Sequence, residues 1–223
     1  MPPPDEPERP SVWSRPARGL RGPAPTHSRY EIVAAAIAMA DADGIGAVSM
    51  RAVAAALHTG AGSLYRYLSS RDDLLDLMVD RAAGELRPYP DGSGDWLDAM
   101  LRLAHRQLAL YRRHPWLVEI LPRPTAPGPQ SLAWFDHCLA ILRPVPASTV
   151  TKFEAIAMMT GVTSLFARRE SAGPPAGLAG IDVAAFPNLT AALTAPPSPS
   201  APRDLFETTV RSVLRGLLVE EAG

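Results

Sequence analysis

Proline divides this chain, because most of its 24 prolines fall into three segments. These segments are residues 1–27, 122–129 and 171–203. Proline has a fixed φ and no backbone N–H, so it interrupts helix interiors and central strands. Long regular elements are therefore expected between these segments, although the middle of the last one, residues 181–193, has room for a short helix.

The stretches between the proline-rich segments show helical periodicity. Val33, Ile37 and Ala40 repeat at the spacing of one helix face. Capping boxes, which open helices, are indicated by Ser28 with Glu31 and by the run from Ser70 to Asp73. Further helices are predicted over 49–57, 61–68, 95–113, 131–142, 149–169 and 204–220. Because no run of alternating β-branched residues is present, the predicted fold class is all-α.

The composition excludes several classes of protein. The single cysteine, Cys138, rules out an internal disulfide framework and a cysteine-based zinc cluster. The longest apolar run, residues 32–40, is too short to span a membrane. The first 25 residues contain no apolar segment of the kind found in secretory signals. These features predict a cytoplasmic protein without a membrane partner.

Two short predicted helices, 49–57 and 61–68, are separated only by His58, Thr59 and Gly60. This arrangement is typical of a helix-turn-helix, a motif that places its second helix in the major groove of DNA.

Local charge favours DNA binding, although the formal net charge of the whole chain is −1. No Asp or Glu lies between Asp43 and Asp72, whereas Arg51, Arg66 and Arg71 fall inside that window. Affinity for DNA comes from phosphates that are neutralised locally. Arg66 is long enough to reach a guanine edge or a phosphate.

Structural roles remain open for two of these side chains. Arg71 can pair with Asp72 or Asp76 instead of DNA, and Tyr65 can pack beneath its helix instead of donating its hydroxyl to a phosphate.

Residues 30–86 resemble the DNA-binding domain of the TetR family of bacterial repressors. The most specific part is Gly62-Ser63-Leu64-Tyr65-Arg66-Tyr67-Leu68 followed by Arg71-Asp72-Asp73-Leu74-Leu75. The family usually has Lys at the Arg71 position. The resemblance implies a three-helix helix-turn-helix domain over 28–87. The prolines and arginines of residues 1–27 separately predict a disordered Pro/Arg-rich tail there. It assigns DNA contacts to Ser49, Arg51, Ala61, Gly62, Ser63, Tyr65, Arg66, Tyr67 and Arg71.

The turn departs from the family pattern. The family commonly has Gly-Val-Ser where this chain has His58-Thr59-Gly60. His58 must therefore adopt the left-handed conformation that Gly favours, and Gly60 provides no side-chain cap. Each change is expected to cost about 1 kcal/mol of local stability.

Residues 88–223 are expected to form a helical domain for effector binding and dimerisation, with a Pro/Gly/Ala-rich loop at about 171–203. Residues 111–117 and Arg123-Pro124 resemble the tetracycline-repressor type. In that type a His before the Arg-Pro pair ligates drug-bound magnesium, but Glu119 stands at this position. Tetracycline–magnesium binding is therefore not expected, and no cofactor or metal is predicted.

The predicted 95–113 helix places Gln107 between two apolar stripes, while Arg102, Arg106 and Arg113 face solvent. A buried amide needs hydrogen-bond partners, which either an effector or a neighbouring helix backbone can supply. His105 lies at the edge of a stripe. The candidate effector-binding residues are His105, Gln107, Tyr111, Trp116, Trp134, His137 and Met158, with ordinary core packing as the alternative for the aromatic and Met side chains.

Helices 149–169 and 204–220 are predicted to form a four-helix interface in a homodimer. Helix 149–169 is apolar nearly all round. A domain this small cannot bury every face of such a helix by itself, so a second subunit is expected to cover part of it. A symmetric dimer predicts a palindromic operator. The predicted function is thus a ligand-responsive repressor that a small-molecule effector releases from DNA.

Two alternative hypotheses about function remain. An all-α enzyme or metabolite-binding protein lacks support, because no HExxH, GxSxG or P-loop pattern occurs. The protein is therefore predicted not to be an enzyme. An activator, or a regulator without an effector, is also compatible with the sequence.

Overall fold

The computed structural model describes residues 12–14, 27–92, 94–124, 126–171, 183–194 and 204–219. The helices are α1 (Arg29–Asp43), α2 (Met50–Ala56), α3 (Ala61–Leu64), α4 (Arg71–Ala83), α5 (Trp96–Arg113), α6 (Trp116–Ile120), α7 (Pro129–Ile141), α8 (Thr149–Ser171), α9 (Pro187–Thr194) and α10 (Leu205–Leu218). Single 3-10 turns cover Val12–Ser14, Ile45–Ala47, Gly84–Leu86 and Val183–Ala185. The described residues contain no strand, so the all-α prediction is confirmed.

Helices α1 to α4 pack around a small core in which Ile32, Val53 and Leu74 are fully buried. The predicted capping box of α1 is present: Ser28 Oγ accepts the N–H of Glu31, and Glu31 Oε2 accepts the N–H of Ser28 at 2.6 Å. These bonds hold the pKa of the Glu31 carboxyl below its usual value.

The predicted capping box of α4 is only half correct. Ser70 Oγ accepts the N–H of Asp73 at 3.1 Å, as expected. The Asp73 carboxylate, however, accepts the N–H of Ser69 at 2.7 Å rather than that of Ser70. Asp is one methylene shorter than the Glu of the usual motif, and it pairs with the preceding amide.

Helices α5, α8 and α10 form the centre of the C-terminal part. Met100 and Leu103 of α5 pack with Ile156 and Met159 of α8 and with Val210 of α10, and all five are fully buried. Short α6 is an element that the sequence patterns did not predict. Helix α9 lies in the region where a short helix was expected. None of the described helices is both long and apolar enough to cross a membrane.

Helix α4 connects the two halves of the molecule through its carboxylates. Asp80 is 6% exposed, and its Oδ1 accepts the backbone N–H groups of Gln130 and Ser131 at 2.9 Å each. These amides belong to the first turn of α7, whose N-cap Gly128 has no side chain to offer. The carboxylate of Asp80 therefore caps α7 from a different helix.

Within the segment predicted to be a disordered tail, residues Val12–Ser14 form a 3-10 turn. Val12 is 1% exposed, and the Trp13 indole Nε1–H donates to the carbonyl of Ala126 at 3.0 Å. The turn packs against α4 because burial of Val12 is favourable and the indole N–H finds an acceptor. Residues 1–11 and 15–26 lie outside the described residues.

Gly128 permits this packing, and its substitution tests it. A Cβ on Gly128 would lie 2.3 Å from Cζ2 of Trp13 and 2.4 Å from Cγ of Asp80. We expect Gly128→Ala to lower the free energy of unfolding by about 1–3 kcal/mol, because both neighbours must shift. Chemical denaturation measures the change.

The matched control is Gly62→Ala, since a Cβ on Gly62 meets no atom within 4 Å. This variant should be as stable as the parent chain or slightly more so. Equal stability of the two variants would contradict the packing of Trp13 and Asp80 on Gly128.

Candidate nucleic-acid interface and ligand cavity

The helix-turn-helix consists of α2, a three-residue turn and α3. His58 has a φ of 53°, so the expected left-handed conformation is confirmed. The N–H of His58 donates to the carbonyl of Ala55 at 3.0 Å, and that of Thr59 donates to the carbonyl of Ala54 at 2.9 Å. These two bonds form a Schellman motif that ends α2. As expected, Gly60 gives α3 no side-chain cap.

Buried leucines fix the orientation of α3. Leu64 and Leu68 are each 1% exposed, and the predicted helix over 61–68 is α-helical only as far as Leu64. Tyr65 is 54% exposed on the opposite face, which excludes the alternative that it packs beneath the helix. The face that carries Tyr65 is therefore directed to solvent.

Two arginines extend into solvent within the acid-free window. Arg51 on α2 and Arg66 after α3 are both exposed. Arg66 Nη2 lies 3.5 Å from Ser63 Oγ, at the outer limit for a hydrogen bond. This weak contact leaves the guanidinium able to turn toward a phosphate or a base edge.

Arg71 has a structural role in addition to any role in DNA binding. Its Nε donates to the carbonyl of Val48 at 2.8 Å, and its Nη2 donates to the carbonyl of Ile45 at 3.0 Å. Neither Asp72 nor Asp76, the two partners considered from the sequence, accepts these bonds. Arg71 thus fixes the segment before α2 against the start of α4.

The other expected contact residues differ in accessibility. Ser49 caps α2 by accepting the N–H of Ala52 at 3.1 Å, and Gly62 is exposed. Ala61 and Tyr67 are half-buried against the core. Ser49 and Gly62 therefore leave the backbone near both helix N-termini open to an approaching phosphate.

A cavity of about 200 Å³ lies between α4, α5, α6, α7 and α8. Apolar and aromatic side chains form most of its wall, which includes Asp76, Gln107, Leu110, Tyr111, Leu117, Ala126, Pro127, Trp134, Phe135 and Thr160. A largely apolar cavity with a few convergent polar groups is typical of a small-molecule site.

Polar groups of the cavity converge on Gln107, which is buried as predicted. Its Nε2 donates to Tyr111 Oη at 3.0 Å and to Thr160 Oγ1 at 3.3 Å. Its partners are therefore side chains rather than the helix backbone that the sequence left open. Burial raises the pKa of Tyr111, so its hydroxyl stays protonated at neutral pH.

Four candidate effector-binding residues do not line this cavity. Trp116 is 1% exposed in the hydrophobic core, and its Nε1–H donates to Asp41 at 2.6 Å. His137 stacks on Tyr89 with ring centroids 4.6 Å apart. Met158 is 54% exposed, since it lies on the outer face of α8.

The fourth, His105, lies on the exposed face of α5 beside the start of α10. Its ring packs edge-on against Phe206, and its Nε2 is 4.0 Å from Glu207. Ligand atoms of His105, Asp204 and Glu207 lie within 4.8 Å of one another. Both carboxylates are already engaged, however, because Asp204 caps α10 and Glu207 bonds Arg211.

Sequence reasoning missed the residues that join the cavity to α4. Arg123 pairs with Asp76 at 2.6 Å and with Asp72 at 3.2 Å. The available signal was the spacing of Asp72, Asp76 and Asp80, which lie four residues apart and thus share one face of α4. Three acids on one helix face indicate cationic or N–H partners elsewhere in the chain.

A helix-turn-helix with an exposed, acid-free face, joined to a helical domain that encloses a ligand-sized cavity, defines a DNA-binding regulator. Family comparison agrees with this class. Residues 32–78 match the family model of bacterial regulatory proteins of the tetR family, and residues 87–220 match that of the tetracyclin repressor-like C-terminal domain. The chain belongs to the TetR family of transcriptional regulators.

Two curated relatives are similar over part of their length. HTH-type transcriptional repressor DrrR1 of Streptomyces coeruleorubidus is 40% identical over 151 residues, which make up 67% of this chain and 56% of that protein. An HTH-type transcriptional regulator of Saccharopolyspora erythraea is 33% identical over 132 residues, or 59% of this chain and 56% of that protein. The chain thus spans little more than half the length of these relatives.

Solved structures of ActR from Streptomyces coelicolor share the fold. The apo form has a TM-score of 0.72 at 26% identity and covers 91% of this chain and 100% of that chain. The complex of ActR with actinorhodin has a TM-score of 0.73 at 27% identity and covers 88% and 99%.

The contrasting surroundings of Arg66 and Arg71 predict different effects of alanine substitution. Arg71→Ala should lower the free energy of unfolding by about 1–2 kcal/mol, because the carbonyls of Ile45 and Val48 lose a charged donor. Arg66→Ala should change it by less than about 0.5 kcal/mol. Thermal and chemical unfolding measure both effects.

Arg66, which is expected to contribute little to stability, should contribute to the recognition of DNA sequence. Arg66→Ala is expected to lose discrimination among DNA sequences, by about 1–3 kcal/mol if the side chain pairs with guanine. Arg51→Ala, another exposed position, serves as the stability control. Equal destabilisation by Arg66→Ala and Arg71→Ala would contradict the structural role of Arg71.

Proposed function

We propose that this protein is a homodimeric repressor that binds a palindromic operator and leaves it when a small molecule occupies the cavity. In this proposal residues 28–87 bind DNA, and residues 88–223 bind the effector and dimerise. The nine residues assigned by family resemblance form the DNA-binding surface. Because its target is bacterial DNA, the protein acts in the cytoplasm.

The observation that carries the proposal is the position of Asp76. This residue lines the cavity, and its carboxylate binds Arg123 of the loop that follows α6. It also lies on α4, which begins shortly after α3. An effector that displaces Arg123 or Asp76 therefore acts on the helix next to the DNA-binding helix, which gives the two sites a direct mechanical connection.

An aromatic effector is the first choice for a test. The cavity wall includes Trp134, Phe135 and Tyr111, and ActR has been solved with actinorhodin bound. Aromatic side chains stack favourably on planar ligands. Glu119 replaces the magnesium-ligating His of the tetracycline-repressor type, so we propose a metal-free mode of binding.

Dimerisation through α8 and α10 is supported by an apolar face that α8 leaves uncovered. Val150 and Leu165 are 65% and 64% exposed, and Phe153 and Met158 are also exposed. Gly161 lies between them, and a Cβ there would meet nothing within 4 Å. Exposed apolar side chains along one helix are typical of an oligomer interface, and a second copy of α8 is the occupant we propose.

Gly161→Arg tests this interface without disturbing the subunit. We expect the variant to be monomeric and as stable as a parent subunit, because the added side chain has open space within the subunit but meets the partner helix in a dimer. Analytical ultracentrifugation measures the association. Gly161→Ala is the matched control and should remain dimeric. A dimeric Gly161→Arg variant would place the interface elsewhere.

Release from DNA is tested with a fluorescent duplex carrying the sequence upstream of the protein's own gene. The dimer should protect two half-sites about one helical turn apart. Saturating 2-naphthol, a neutral planar probe with two fused rings, should raise the Kd for this duplex about 5- to 150-fold, the usual range of coupling between two sites. Phe135→Ala, which removes part of the cavity wall, should weaken this response. Operator affinity unchanged by a ligand that demonstrably binds the cavity would contradict the release mechanism.

A further inference from the structure

The amide of Gln107 has one hydrogen-bonding position that the protein does not fill. Both N–H bonds of Nε2 are used, one toward Tyr111 Oη and one toward Thr160 Oγ1. Oε1 has less than 1 Å² of accessible surface and finds no partner among the described residues. Gln107 as a whole is 95% buried, since its relative exposure is 5%. An orphaned carbonyl oxygen at a cavity wall is costly unless something else donates to it.

The neighbouring hydroxyl has the complementary capacity. Tyr111 Oη accepts the bond from Gln107, so its own O–H remains able to donate. Tyr111 is 5% exposed and lines the same cavity. Because Oε1 has less than 1 Å² of accessible surface, a ligand hydroxyl reaches it only when the Gln107 amide turns toward the cavity. In that position Oε1 is an acceptor in the same wall as a donor, the hydroxyl of Tyr111. A single ligand hydroxyl satisfies both groups, because it donates one hydrogen bond and accepts another.

The rest of the wall determines what carries that hydroxyl. Leu110, Leu117, Trp134 and Phe135 are apolar or aromatic. Asp76 is the charged residue among the described lining residues, and Arg123 already pairs with it at 2.6 Å. The wall therefore offers no unpaired charge to a charged ligand, and burial of such a ligand would be unfavourable.

The volume of the cavity indicates the size of the ligand's planar ring system. A cavity of about 150 Å³ is large enough to hold benzene, whereas this one measures about 200 Å³. A planar core of two fused rings is therefore a suitable size for a probe of this cavity.

We propose that Gln107 and Tyr111 select neutral aromatic ligands through a ring hydroxyl, so that the effector is a phenol-type molecule whose O–H donates to Oε1 of Gln107. This inference rests on the proposed function only in that the ligand acts as an effector. The ligand class itself depends on Gln107, Tyr111 and the surrounding wall.

Three probes of similar shape test the selection: 2-naphthol, 2-methoxynaphthalene and naphthalene. 2-Naphthol donates and accepts, the methyl ether only accepts, and naphthalene does neither. Titration calorimetry on the full chain without DNA gives the three Kd values. We expect 2-naphthol to bind at least tenfold more tightly than 2-methoxynaphthalene, because the ether leaves the buried Oε1 unpaired.

Gln107→Leu removes the amide and preserves the approximate volume of the side chain. In this variant the two oxygen-bearing probes should bind within about twofold of each other, while the affinity for naphthalene stays unchanged or improves. Unchanged naphthalene binding shows that the cavity is intact. Gln107→Met supplies the same comparison if the Leu variant fails to fold. Ala109→Leu, on the exposed face of the same helix, should keep the full preference for 2-naphthol.

The proposal is overturned if the wild-type chain binds the two oxygen-bearing probes equally, if the Gln107 variants keep the preference for 2-naphthol, or if none of the three probes binds. Because no DNA is present, these outcomes do not depend on operator release. A protein that prefers 2-naphthol through Gln107 but is never released from DNA would contradict the proposed function alone.

Discussion

The carboxylate of Asp80 holds the two halves of the molecule together. It lies on α4, yet it accepts the first free amides of α7, fifty residues further along the chain. An unpaired carboxylate at this depth would be strongly unfavourable, and so would the uncapped N-terminus of α7 beside it. Each group satisfies the other, and the positive end of the α7 dipole adds to the attraction. The start of α7 therefore depends on the position of α4.

The same helix face extends this dependence toward the DNA-binding helices. Asp72 and Asp76 both bind Arg123, so three carboxylates on α4 contact the chain between Arg123 and the first turn of α7. Helix α4 has 13 residues and is thus about 20 Å long. Its N-terminal end is held to the segment before α2 by Arg71. Helix α4 therefore connects the cavity wall at Ala126, whose N–H lies 3.5 Å from Asp76 Oδ2, with the segment before α2.

Local features could be predicted from the sequence because each depends on neighbours within one turn of chain. The capping box of Ser28 and the left-handed conformation of His58 are of this kind, as is the burial of Gln107 on an amphipathic helix. The cap of α7 by Asp80 could not be predicted, since no local pattern relates residues fifty positions apart. The docking of Trp13 is similar, because its acceptor, Ala126, is 113 residues away. Composition alone favoured a disordered tail there.

The residues around the cavity show the same limit of prediction from local sequence patterns. Helical periodicity placed Gln107 and Tyr111 inside, but periodicity reports only whether a face is buried, not what it is buried against. Trp134 therefore lines the cavity, whereas Trp116, which is equally buried, donates to Asp41. Tertiary contacts with α1 decide that difference, and they leave no periodic signal in the chain.

A second junction restricts how α4 is able to move. Asp41 at the end of α1 contacts His114 Nδ1 at 2.7 Å and accepts the indole N–H of Trp116 at 2.6 Å, while Glu85 lies 3.2 Å from the other ring nitrogen of His114. This junction joins α1 and the end of α4 to the start of α6. The DNA-binding helices are therefore attached to the C-terminal part at two separate places. Arg123, by contrast, contacts α4 at Asp72 and Asp76, nearer to α3.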